Sequence, residues 1–231
     1  MNSESTELPS GINEFSNKII LADKPLDFTS ADIVRIFKRN FSIKKIGHSG
    51  TLDPRATGLL ILCTDQKTKT INEIIEYDKE YEGVIRIGAV TKSFDTETEE
   101  ENIIEKFDVT DEQIENVRKT FLGVTEQIPP MYSAIKHKGK PLYKLARKGR
   151  EIKREPRKIT VTDFEIKRMS ETEIYFRIRS SKGTYIRTIA NDFGERLGIG
   201  GYLKTLRRLR VGKYDLEGME DETNGIRYRL L

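Results

Sequence analysis

The strongest constraint on how this chain folds is the stretch Ile46-Gly47-His48-Ser49-Gly50-Thr51-Leu52-Asp53-Pro54-Arg55-Ala56-Thr57-Gly58-Leu59-Leu60. Glycines, hydroxyl residues and an Asp-Pro pair make its first part a loop rather than a helix or strand. Gly58 then opens the apolar run Leu59-Leu60-Ile61-Leu62-Cys63, which reads as a buried strand. A single carboxylate, Asp53, therefore stands on a rigid turn feeding a core strand, a common way of presenting a catalytic group. Asp before Pro is also ordinary turn chemistry, so the residue types alone leave both readings open.

The remaining segments mix strands and helices in irregular order. Lys18 to Asp23 is a short strand stopped by Pro25. Asp27-Phe28-Thr29-Ser30 supplies capping groups for a helix with Ile33, Val34, Ile36 and Phe37 on one face. Asn72 to Tyr77 and Glu112 to Phe121 read as short helices. Glu80 to Val90 alternates with a period of two, placing Tyr81, Gly83, Ile85 and Ile87 on one face of a half-buried strand. Ile159 to Lys167 and Ile174 to Ser180 alternate likewise and form a hairpin. Tyr185 to Leu197 carries Ile186, Ile189, Ala190, Phe193 and Leu197 at helical spacing, closed by Gly198. Pro141 to Lys148 is a candidate helix opening at Pro141, and Leu203 to Tyr214 fits either a helix or a strand. Strands and helices without regular alternation predict an α+β fold. The 231 residues hold no internal repeat or low-complexity linker, which predicts one domain behind a loose tail over 1–17.

Charge is segregated along the chain. From Lys136 to Lys158 eleven Lys or Arg face two acids, Glu151 and Glu155, whereas from Thr91 to Thr120 ten acids face four bases. The acidic part, Thr91 to Asp108, reads as a surface loop. The basic run includes Tyr143, and a second basic run over Tyr202 to Tyr214 has five cations and no acid, a pattern that favours nucleic acid.

Several chemistries are absent from the pattern. Two histidines, His48 and His137, and one cysteine, Cys63, make no zinc set. No phosphate loop, dinucleotide fingerprint or serine nucleophile elbow occurs. Side-chain chemistry without cofactor or metal is expected. The lone cysteine fits a reducing cytosol. The polar N-terminus is no signal peptide, and no apolar run approaches the roughly 18 residues of a membrane span. These features predict a soluble cytoplasmic protein.

The opening stretch, from Gly47 to Leu60, resembles the signature of the TruB family of tRNA pseudouridine synthases. Four more segments match in order: Asp23-Lys24-Pro25 with Thr29-Ser30; Lys79-x-Tyr81-x-Gly83; Gln127-x-Pro129-Pro130-x-Tyr132-Ser133-Ala134-x-Lys136; and Ser181-Lys182-Gly183-Thr184-Tyr185-Ile186-Arg187-Thr188. Leu206 to Gly212 closes the likeness, which spans residues 18 to 214. The resemblance implies the pseudouridine synthase fold, a mixed, mostly antiparallel sheet flanked by helices. It also implies cofactor-free isomerisation of uridine 55 in the T arm of tRNA.

The resemblance assigns roles residue by residue. Asp53 matches the essential aspartate, acting at C1′, at C6 or through a glycal route. Arg187 matches the arginine that holds this carboxylate charged. Tyr81 matches the tyrosine that stacks on the base and is the proposed acceptor of the C5 proton; a phenol with an ordinary pKa near ~10 is a poor base, so stacking is the firmer half. His48 matches the residue that helps prise the base from its stack. Tyr185 and Leu206 match positions lining the pocket, although both also suit a plain core. Lys24 matches a motif beside the site, binding substrate or bracing the pocket. The basic segment, about 125–158, matches a thumb-like insertion that clamps RNA, with Lys136, Lys138, Lys144, Arg147, Lys148 and Arg150 on the backbone.

Three departures stand out. Ser49 replaces the usual threonine, and Asp27 replaces the glycine usual in the Lys-Pro turn. The sequence stops at Leu231, which predicts a form without the C-terminal PUA domain and argues against guide-RNA-dependent relatives; a monomer working on the tRNA T stem-loop is expected. The competing reading is an RNA-binding or tRNA-folding module; retention of Asp53, Tyr81 and Arg187 together favours the enzyme.

Overall fold

The computed structural model describes residues 13–231. In chain order its elements are β1 (Ile19–Lys24), α1 (Ser30–Asn40), β2 (Ile46–His48), β3 (Ala56–Thr64), a 3-10 turn (Asp65–Thr70), α2 (Ile71–Glu76), β4 (Lys79–Ile87), β5 (Val90–Thr91), β6 (Glu100–Glu101) and α3 (Asp111–Lys119). There follow β7 (Gly123–Gln127), β8 (Lys136–His137), β9 (Lys140–Pro141), α4 (Leu142–Ala146), β10 (Arg157–Arg168), β11 (Glu173–Ser180), α5 (Ile186–Arg196), β12 (Gly201–Val211), β13 (Asp221–Thr223) and β14 (Ile226–Leu230).

Ten strands form one sheet in the order β13-β14-β1-β3-β12-β4-β11-β10-β7, with β2 also on β3. The pairings in this sheet are antiparallel except that of β3 with β12. That parallel pair requires a long return connection. The fold is α+β, with a mixed, mostly antiparallel sheet. The segment between Leu203 and Tyr214, open to two readings from residue types, forms most of β12 near the middle of the sheet.

β3 is apolar on both faces because both are covered. Leu60 and Leu62 enter the large core with Phe37, Ile85, Phe176 and Phe193, while Leu59, Ile61 and Cys63 pack with Ile74 and Val211 in a smaller one. Continuous hydrophobic runs are what doubly covered strands require. On β4 the alternation holds along the whole strand, with Tyr81, Ile85 and Ile87 turned into the large core.

Local signals explain most element ends. Thr29 caps α1, its hydroxyl accepting from Asp32 N at 3.0 Å while the Asp32 carboxylate accepts from Thr29 N at 2.9 Å. Asp27 has φ +65°, the left-handed conformation that favours glycine and that Asp tolerates better than most residues. The turn therefore survives the departure noted above. Pro141 is extended and precedes α4, which ends at Ala146, two residues short of the expected Lys148.

Two expectations need correction. Residues 1–12 of the expected tail lie outside the described residues, but 13–17 are not loose. Phe15 is 2% exposed and stacks on Phe41 with centroids 3.8 Å apart. The acidic segment from Thr91 to Asp108 is not merely a surface loop either. Asp95 within it is buried, for a reason the site makes plain.

Candidate active site

Four segments meet around Asp53. The loop between β2 and β3 carries it, and its backbone is clasped from α1. Ser30 Oγ accepts from Leu52 N at 2.9 Å and donates to Leu52 O at 3.1 Å. From β1, the fully buried Lys24 donates to Pro25 O at 2.8 Å, Phe28 O at 2.7 Å and Pro54 O at 3.5 Å. Asp27 N donates to Pro54 O at 2.9 Å, and the Asp27 carboxylate pairs with Arg55 at 2.8 Å. Burial brings the Lys24 ammonium down to about 8, against the attraction of Asp53. Of its two proposed roles, these bonds support the brace.

Arg187, in the first turn of α5, is the hub. Its Nη2 lies 3.0 Å from Asp53 Oδ2 and donates to Tyr132 O at 2.8 Å, while its Nη1 pairs with Asp95 Oδ2 at 3.2 Å. Both Arg187 and Asp95 side chains are 6% exposed. This is no exposed helix arginine. Asp95 in turn accepts from Glu97 N at 2.9 Å. No motif marked Asp95; its only signal was a carboxylate among apolar and hydroxyl neighbours at the mouth of an acidic run.

Solvent reaches 40% of the Asp53 side chain, yet the packing beneath it is dense. Burial pushes its carboxyl above the ordinary range, Arg187 pulls it down, Asp95 and Glu97 push it up again, and Lys24 opposes them. Arg187 therefore limits a rise without cancelling it.

Above Asp53 opens a cleft of about 280 Å³ lined by Tyr81, Lys79, Tyr185, Leu206, Arg187 and Arg208, among others. That is near the lower end of the roughly 300–1,000 Å³ usual for small-molecule sites. Tyr81, Tyr185 and Leu206 are thus gathered with Asp53 and Arg187 as expected from sequence. The Tyr185 backbone is fixed by Gln127, which accepts from Tyr185 N at 2.8 Å and donates to its carbonyl at 3.0 Å. Arg157 lies over the Tyr185 ring at 4.4 Å. His48 stands on β2 and is not among the residues lining this cleft. Burial and then Arg208 lower its proton affinity, which keeps it neutral near pH 7, and its Nδ1 is buried without a partner.

The thumb-like insertion leaves the sheet after β7 and returns on β10, which are neighbours, with Arg157 opposite Gln127 at its base. Lys136, Lys138, Lys144, Arg147, Lys148 and Arg150 are all exposed on it. Arg147 reaches across to Glu97 at 2.6 Å. Among the described residues, no cluster of His, Cys, Asp and Glu is placed to hold a metal, and no helix is long and apolar enough to cross a membrane.

Residues 38–186 match the family model described as TruB family pseudouridylate synthase, N-terminal domain. The chain belongs to the TruB family. It is a pseudouridine synthase, an enzyme that isomerises uridine. Residues 187–223 match the tRNA pseudouridylate synthase B C-terminal domain, a boundary that falls inside α5. The chain is 50% identical over 202 residues to tRNA pseudouridine synthase B of Chlorobaculum tepidum, covering 85% of this chain and 84% of that protein. It is 44% identical over 213 residues to the synthase of the same name from Flavobacterium johnsoniae, covering 89% and 93%. Among solved structures it is similar to a chain of a Cbf5-Nop10-Gar1 complex, with TM-score 0.69 and 28% identity, covering 90% of this chain and about half (51%) of that one.

Proposed function

We propose that this TruB-family chain converts uridine 55 in the T arm of tRNA to pseudouridine, with Asp53, Arg187 and Tyr81 as its catalytic residues. The observation that carries the reading is the Asp53–Arg187 pair at 3.0 Å on the floor of a cleft lined by Tyr81, Tyr185 and Leu206. The reaction breaks N1–C1′, joins C1′ to C5, and moves a proton from C5 to N1. Every atom of the product comes from the substrate, so no co-reactant is needed.

The target base leaves its stack, at a cost of a few kcal/mol, to enter the cleft. His48, on β2 just before the catalytic loop, assists that exit, and Lys24 supports the loop beneath. Asp53 provides the ionised carboxylate on which cleavage depends, and Arg187 favours that charged form. Tyr81 and Tyr185 hold the base by its faces. The six exposed cations of the insertion hold phosphates, which fix position without reading sequence. The enzyme acts as a monomer in the cytoplasm and without guide RNA. Its kinship with proteins named tRNA pseudouridine synthase B and its basic arm support the tRNA assignment.

The test incubates the protein with an unmodified tRNA transcript and maps pseudouridine by chemical labelling and primer extension. Signal is expected at position 55; binding without signal there would sink the reading in favour of an RNA-binding module. Asp53→Asn is expected to abolish turnover while leaving tRNA affinity within about tenfold, ~1.4 kcal/mol. Collapse of binding instead would make Asp53 a structural residue.

A further inference from the structure

Arg208 is one of the largest fully buried side chains, 2% exposed, and two backbone carbonyls accept from its guanidinium. Nε donates to Leu59 O at 2.7 Å and Nη2 to Gly50 O at 3.2 Å. Those two carbonyls bracket Asp53, one on each side of the catalytic loop. The register places Arg208 opposite Gly58 on β3 and opposite Tyr81 on β4. One residue thus stands between the strand that delivers the carboxylate and the strand that delivers the tyrosine.

The backbone is shaped around this contact. Gly58 has φ +98°, and a Cβ there would lie 2.3 Å from the Arg208 carbonyl oxygen. Only glycine lets β3 approach β12 at this point. Gly50 has φ +118°, and a Cβ would meet Arg208 Nη1 at 3.7 Å.

A buried cation held by neutral carbonyls is costly, and an apolar side chain of similar volume would fill the space at lower cost. The charge therefore calls for an explanation beyond packing. Burial works against the Arg208 cation, while Tyr81, which also makes a side-chain hydrogen bond to it, and then the Asp53 carboxylate work in its favour. Leu206, two residues earlier on the same strand, lines the cleft with Arg208.

We infer that Arg208 is a positioning residue for Asp53, its guanidinium clamping both ends of the catalytic loop and adding positive potential beneath the carboxylate. The inference rests on the proposed function. Other charges facing Asp53 are Arg187 on α5, Asp95 and Glu97 on the acidic loop, and Lys24 on β1. Removing Arg208 leaves those four in place, so a change in Asp53 titration reads the clamp.

The test compares the full-length protein with Arg208→Met and Arg208→Lys. In Arg208→Met the single-turnover rate on tRNA transcript is expected to fall at least 100-fold, with transcript affinity within about threefold. The acidic limb of its rate profile is expected to move to higher pH, and the Asp53 carboxyl, followed by carbon-13 NMR without RNA, to titrate higher. Arg208→Lys keeps the charge but one ammonium cannot serve both carbonyls. Its titration is expected to stay near wild type while its rate falls more than tenfold. A rate within threefold of wild type in either variant overturns the inference, as does an unmoved Asp53 titration in Arg208→Met. If Arg208→Met does not fold, the Arg208→Lys rate, measured with its melting temperature, decides alone. A wild type that binds tRNA but leaves uridine 55 unmodified sinks the functional reading, and the RNA-free titration still judges the clamp.

Discussion

Burial raises the Asp53 carboxyl, Arg187 lowers it, and Asp95 sits on the far side of the same guanidinium. Asp95 therefore does two opposing things. It orients Arg187 toward Asp53, and its own charge pushes protons onto Asp53. Asp95→Asn separates the two effects. With the repelling charge gone, Asp53 ionises more easily, so the acidic limb of the rate profile is expected to shift to lower pH. With the anchor weakened, the plateau rate is expected to drop by about 10- to 100-fold, less than the roughly 100- to 1,000-fold lost with a donor that itself touches the reacting atoms, because Asp95 acts through Arg187. A rate–pH series on both proteins checks the signs, and a limb moving to higher pH would contradict the account. Arg187→Met acts differently, since it leaves two carboxylates facing each other. Breaking the buried Arg187–Asp95 pair is expected to cost about 3–5 kcal/mol in urea unfolding. The Asp53 carboxyl, already raised by burial, then rises further above its unfolded value, so the loss is largest at neutral pH and shrinks as acid protonates it. None of this was written in the motifs, because Asp95 gains its meaning from packing against α5, far away in sequence.

At the scale of elements, the insertion and the acidic loop are coupled through one ion pair, Arg147 with Glu97, while Glu97 N is held by Asp95. Both partners of that pair are partly exposed, so it is worth little in isolation. It nevertheless sets how freely Arg147 reaches a phosphate. Lys148 and Arg150 are expected to contribute more to the salt dependence of tRNA binding than Arg147 does. Replacing all three by Gln should flatten the slope by roughly 0.7–0.9 for each cation that meets a phosphate. Glu97→Gln should tighten binding by freeing Arg147. Filter binding across a salt series measures both, and an unchanged slope would refute the clamp. Elements with a strong period were legible beforehand: β3, β4, the β10–β11 hairpin and α5 lie within a few residues of their expected positions. β13 and the edge strand β7 carry little alternation, and β14 alternates over only five residues, so these short strands take their structure from a neighbour. For the same reason β12 was ambiguous. Basic side chains interrupt its apolar residues, and Arg208 is buried where the pattern alone would put it at the surface. Of the candidate site, the cleft residues Asp53, Tyr81, Tyr185, Arg187 and Leu206 are readable from motifs, whereas Ser30, Gln127 and Arg208 lie in the same motifs but show their bracing contacts only in the folded chain.

For the molecule as a whole, the boundary between the two matched family models does not divide it into two folding units. The N-terminal match ends at 186 and the C-terminal one begins at 187, in the first turn of α5. Beyond that point lie most of α5 and all of β12, which pairs with β4 from Gly201 to Val211 and with β3 from Leu206 to Arg208. Removing residues 187–231 would take a strand from the interior of the sheet and leave β3 and β4 with open edges. It would also strip Ile189, Ala190, Phe193 and Leu203 from the large core, and Arg187 and Leu206 from the site. Open central edges invite association rather than folding. A fragment ending at Ile186 is therefore expected to show no cooperative urea transition and to bind an apolar dye. The full chain should unfold in one transition, with a denaturant slope that scales with the surface of the whole described chain. Mixing the fragment with separately prepared 187–231 should restore a cooperative transition, since the missing strand and helix carry the complementary apolar faces. If the fragment alone unfolds cooperatively with a slope proportionate to its own length, the sheet is divisible at α5 and the account of β12 as its central tie is wrong.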